Sequence, residues 1–196
     1  MRLNRANSTL RSEPNFRTAN NGLIRRAIIW GDDRTTLSLD QIIALWESKP
    51  RKTPLAVMLA KMLNESSRKP YISRYEVGQH LDNPSWKWKN EFDSTSYGLF
   101  QFMGFHLTGK YKVADQNNVY ASFTIEKQFD LFDEFMGKHL AKAQELFPKK
   151  SFDEQVWHAI AGYGGDYTPS GSGVTLTDRN FQTYLQYKDY KKKESG

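Results

Sequence analysis

Glu65 stands at the end of a run, Leu55-Ala56-Val57-Met58-Leu59-Ala60-Lys61-Met62-Leu63-Asn64-Glu65, that is apolar nearly all round apart from Lys61. A helix of that composition belongs at the centre of a domain. An acid in its last turn meets two penalties, because burial disfavours a carboxylate and the negative end of the helix dipole repels it. Those conditions suit a general acid. The plain alternative is a hydrated, inert last-turn glutamate. Further acids follow at Glu76, Asp82, Glu91 and Asp93. Glycoside hydrolysis usually needs two carboxylates, which a fold brings together whatever their spacing in sequence.

Two other stretches carry ligand-binding character. Thr95-Ser96-Tyr97-Gly98-Leu99-Phe100-Gln101-Phe102-Met103-Gly104-Phe105 sets a glycine and a glutamine in aromatic surroundings. That combination suits a backbone that approaches a ligand and an amide that binds it; a core helix with a tolerated glycine would look the same. Ala161-Gly162-Tyr163-Gly164-Gly165-Asp166-Tyr167 lets the chain turn tightly beside a pocket, or simply ends a helix. Trp86, Trp88 and Tyr97 are rings that could stack on sugars or line a cleft wall.

Several chemistries are set aside. The four histidines, His80, His106, His139 and His158, form no His-Glu-x-x-His pattern and no close pair. No phosphate-binding glycine loop and no Gly-x-Ser-x-Gly elbow occurs. The absence of cysteine excludes a disulfide framework, a cysteine nucleophile and a cysteine-bearing zinc site. Neither a metal nor an organic cofactor is expected.

These residues need elements to hold them. Ser38 caps a short helix with Leu39, Ile42, Ile43 and Trp46 on one face. Thr53-Pro54 reads as an N-cap followed by proline at the first helical position. Tyr71 to Val77 reads as a short strand. A polar loop spans 78–95, and a helix is expected from near Ser96 to Phe105. The longest amphipathic helix covers 124–147, with Ile125, Phe129, Phe132, Met136, Leu140, Ala143 and Phe147 as its stripe. Ser151 and Glu154 form a capping box that opens another helix. A last helix is expected from Asp178.

The 196 residues suit one domain with extensions, and an aromatic content of 14% is enough for a real core. The net charge of +6 collects at the ends. Residues 1–36 hold seven arginines against three acids, residues 185–196 four lysines against two, and the stretch between is neutral. A basic groove for nucleic acid is therefore not expected. The basic ends suit solubility, or contact with an anionic envelope surface or virion proteins. The polar start has no export signal, and no apolar stretch approaches the roughly 20 residues that span a bilayer. The reading is a polar arm over 1–36, a domain over 37–190 and a basic tail over 191–196.

A buried helix ending in Glu65-Ser66, then Ser96-Tyr97-Gly98-Leu99-Phe100-Gln101, then the turn Ala161-Gly162-Tyr163-Gly164, resembles the superfamily of goose-type lysozymes and lytic transglycosylases. The segment Gln101-Phe102-Met103-Gly104-Phe105 resembles more narrowly the N-acetylmuramidase family found in many bacteriophage endolysins. Ile72-Ser73-Arg74-Tyr75-Glu76 is similar to that family's strand, and Gly162-Tyr163-Gly164-Gly165 to its turn, with Gly164 where the family usually has Asn. The resemblance covers roughly 53–190. It implies a mainly helical, α+β lysozyme-like fold with a small strand-and-loop lobe forming a cleft. It implies cleavage of the bond between N-acetylmuramic acid and N-acetylglucosamine in peptidoglycan, with Glu65 as the acid and Glu76 positioning water or stabilising the cationic centre. Ser96, Tyr97, Gly98, Gln101 and Tyr163 would contact the sugar. The alternatives are a lytic transglycosylase and a non-catalytic virion protein that retains the fold. A protein made in the host cytoplasm and acting on the cell wall, at lysis or from a virion, fits this picture.

Overall fold

A computed structural model describes residues 26–29, 35–75 and 92–190. The described residues are mostly helical, with one small antiparallel sheet among them. The strands are β1 (Arg26–Ile29), β2 (Ile72–Tyr75), β3 (Thr95–Tyr97) and β4 (Phe102–Met103), hydrogen-bonded in that order. The helices are α1 (Leu39–Glu47), α2 (Leu55–Ser66), the short α3 (Val119–Ser122), α4 (Ile125–Leu146), α5 (Phe152–Tyr163) and α6 (Ser172–Tyr187). A π-helical turn, His106–Lys110, follows β4. Among the described residues no helix is long and apolar enough to cross a membrane.

The local signals explain most boundaries. Ser38 accepts from the Gln41 amide while Gln41 returns the bond, and Ser151 with Glu154 does the same for α5. Each box satisfies N–H groups that a helix start leaves without partners. Thr124 opens α4, and the stripe foreseen for that helix is inward: Phe129, Phe132, Met136, Leu140 and Ala143 are all buried. In α2, every residue from Ala56 to Met62 is buried, Lys61 included. The helix is thus central, packed against α6, while α4 lies on α5.

Four expectations change. The segment from Ser96 is no helix: β3 and β4 form a hairpin pairing Ser96 with Met103 and Tyr97 with Phe102. The reason lies in its tip, where Gly98 and Gln101 take positive φ of 77° and 52°, values a right-handed helix does not contain. The tip drives Leu99 and Phe100 into the core, and Phe100 stacks on Phe132 with ring centroids 4.0 Å apart. The last helix starts at Ser172, six residues before Asp178, after Gly171 turns the chain at φ 55°. Pro54 is itself the N-cap of α2, and no side chain caps that helix start. The arm over 1–36, expected to be polar and irregular, contributes a strand at Arg26–Ile29, with Ile29 paired to Ile72 and Arg26 to Tyr75.

Candidate functional site

Glu65 occupies the last turn of α2, one residue from its end, where the chain leaves the helix through Ser67 at φ 53°. One helical turn earlier comes Lys61. Residues four apart share a helix face, and Lys61 Nζ lies 2.7 Å from Glu65 Oε1. The lysine side chain is 6% exposed and the glutamate 25%. The foreseen isolated acid is thus a partly exposed carboxylate locked to a buried ammonium.

The ammonium has a second neighbour. It sits 4.3 Å from the centre of the Tyr163 ring, over its face. A cation in that position is drawn to the negative face of the aromatic quadrupole. Tyr163 is the last residue of α5, and its hydroxyl donates to the carbonyl of Phe100 at the hairpin tip, 2.9 Å away. Burial pushes that hydroxyl well above the ordinary phenol value, and the charge of Glu65 pushes the same way. Tyr163 therefore stays a proton donor and ties α5 to the hairpin.

From α4 comes His139, whose ring lies 6.2 Å from that of Tyr163 and whose Nδ1 is hydrogen-bonded to Tyr167 Oη at 2.8 Å. Burial lowers its pKa and the positive charge of Lys61 lowers it further, so its neutral form is favoured. The glycine-rich turn has a packing reason here: a Cβ on Gly162 would overlap the Tyr167 ring. Phe135 completes the wall, edge-on to Tyr163 at 5.2 Å.

The hairpin residues are turned largely upon themselves. Ser96 Oγ lies 2.9 Å from Gln101 Oε1, and Gln101 Nε2 donates to the carbonyl of Gly98 at 2.8 Å. These bonds hold Gln101 in its left-handed conformation, which costs roughly 1 kcal/mol or more for a non-glycine residue. Ser96 and Tyr97 are both 3% exposed. Tyr97 and Gly98 line a small pocket with Pro70, Ile72, Phe123 and Gln128, a lining that does not include Glu65.

The structure thus brings Glu65 and Tyr163 together through Lys61, and joins Tyr163 to the hairpin through Phe100. Glu76, Asp82, Trp86, Trp88 and Glu91 lie outside the described residues, as does the basic tail 191–196. Asp93 lies in the turn before β3. Among the described residues, no three His, Asp or Glu groups converge as metal ligands would.

Lys61, His139 and Gln128 were not singled out from sequence. The four-residue spacing of Lys61 and Glu65 was the available signal for the first. For Gln128 the signal was an amide on the apolar face of α4. It is 1% exposed and fully engaged, accepting from the Leu99 amide and donating to the carbonyls of Pro70 and Phe123. His139 carries no comparable mark in the sequence. No family model, curated protein or solved structure matches the chain.

Proposed function

We propose that this protein is a peptidoglycan-cleaving glycosidase of lysozyme-like architecture, acting on the bond between N-acetylmuramic acid and N-acetylglucosamine. The observation that carries this reading is the placement of Glu65: a part-exposed acid in the last turn of a buried central helix, beside the tyrosine-bearing end of α5 that is bonded to the hairpin. The motif resemblance supplies the substrate. In this reading protonated Glu65 gives its proton to the leaving O4 of N-acetylglucosamine as the C1–O4 bond breaks. Water then adds to C1 of the muramic sugar, and its proton returns through solvent to Glu65. Glu76, by resemblance, positions that water. In the lytic transglycosylase variant of the same reading, the muramic 6-hydroxyl adds to C1 in place of water.

One observation favours a second reading, a non-catalytic virion component of the same architecture. Glu65 and Lys61 close on each other, and Ser96, Gln101 and Tyr163 are bonded within the protein. Digestion of purified peptidoglycan by wild type and Glu65→Gln, with products read by mass spectrometry, separates the readings. New reducing-end muramic acid from wild type alone is the expected result. Anhydro-muramic ends would make the protein a transglycosylase. Intact sacculi from several bacterial sources would overturn the enzyme reading in favour of the virion one. Thermal melts accompany the assay, because glutamine at position 65 leaves Lys61 without its counterion.

A further inference from the structure

We infer that Lys61 is the positioning residue of Glu65, and that the face of Tyr163 holds its ammonium in place while Glu65 changes charge. The inference rests on the glycosidase reading and adds the group that governs its acid.

The stem of Lys61 runs through the core, and its Nζ reaches two partners, the Glu65 carboxyl at 2.7 Å and the Tyr163 face at 4.3 Å. A buried ammonium with a carboxylate as its sole partner would be stranded whenever that carboxylate took a proton, at the desolvation penalty of an unpaired buried ion. The ring face is a partner whose attraction does not depend on the state of Glu65. Lys61 can therefore remain in position through a catalytic cycle.

Its value comes at the proton transfer. When Glu65 gives up its proton, a carboxylate is left behind, and it forms next to an ammonium already oriented toward it. Preorganised charge of this kind stabilises a transition state without reorganisation at the moment of reaction. The surrounding groups keep the arrangement simple. Tyr163 from α5 stays protonated, and His139 from α4 is pushed toward its neutral form by burial and by Lys61 itself. Tyr111 lies beyond, near enough to act on Tyr163. No second cation from these groups builds up against Lys61 near neutral pH.

The test is a pH–rate profile on solubilised glycan strands for the full-length wild type, Lys61→Met, Lys61→Arg and Glu65→Gln. Methionine keeps the buried stem and removes the charge; Lys61→Gln serves if Lys61→Met fails to fold. The expected result is a kcat at least about tenfold lower in Lys61→Met, with KM within about twofold, because losing a charge that stabilises the carboxylate formed at proton transfer lowers kcat. Lys61→Arg should recover most of the rate. An active wild type, an inactive Glu65→Gln and a Lys61→Met profile superimposed on wild type would overturn the inference and leave the glycosidase reading standing. A folded Lys61→Met in which KM alone rises would also overturn it. A wild type inert on every glycan would remove both.

Discussion

Asp133 receives the backbone N–H groups of Lys52 and Thr53 just ahead of α2, at 2.8–3.1 Å, whereas Glu65 in the last turn of that helix is held by a single ammonium. Asp133 is 8% exposed and belongs to α4. It lies toward the positive end of α2, satisfies the buried amide of Thr53 and the part-buried amide of Lys52, and fastens α4 to the approach of the central helix. Glu65 lies at the negative end of the same helix, where among the described residues no backbone donor meets it and the dipole opposes its charge. One carboxylate is held by backbone amides, the other by a buried cation. Stability residues and candidate chemistry residues thus sit at opposite ends of one helix.

The strongest way to break this contrast is Asp133→Ala. It should cost about 3 kcal/mol of stability, because two backbone N–H groups lose their acceptor; urea denaturation would measure it, and a loss well below that would mean the carboxylate is dispensable. Glu65→Gln should cost less, about 1–2 kcal/mol, because its partner is buried but Glu65 itself is part-exposed and hydrated. The double variant Lys61→Met/Glu65→Gln should recover most of that loss, and a failure to recover would show that the pair is not the unit that matters. Ser151→Ala, which removes a capping box far from both carboxylates, should cost about 1 kcal/mol and serves as a scale for an ordinary structural bond.

The smallest effect concerns pH. His139 titrates below its ordinary value of 6.5 in the folded protein, first through burial and then through Lys61. Its contribution to stability is therefore intact above about pH 6.5 and is lost as the pH falls below it, because the unfolded chain takes the proton first. Thermal melts at about pH 7.5 and 5.5 should show a drop that His139→Gln reduces. An unchanged drop in that variant would place the responsible group elsewhere.

Much of the helical frame was legible because it is written in local signals. Ser38, and Ser151 with Glu154, mark two helix starts, and the stripe from Ile125 to Phe147 marks the face of α4, buried from Phe129 to Ala143. The hairpin is not legible in sequence because its turn depends on Gln101 at positive φ, which accepts from Ser96 Oγ and donates to the carbonyls of Gly98 and Ile72. Such a turn is made by side-chain bonding that composition does not display. The candidate acid was legible by position and its partner by spacing. The aromatic surroundings of that partner were not, because Phe135, His139 and Tyr163 come from α4 and α5, both distant in sequence from α2.

Gly98 has one more consequence, for how such a sequence can drift. A Cβ at this position would collide with the Gln128 amide, and Gln128 bridges the hairpin tip, the chain before β2 and the turn that enters α4. The glycine and the glutamine must therefore change together or not at all. The letters Ser-Tyr-Gly-Leu-Phe-Gln from 96 to 101 describe the shape of a joint, and selection for a sound joint preserves them whether or not a sugar ever touches it. A chain that keeps this joint can therefore keep these letters whatever stands at positions 61 and 65.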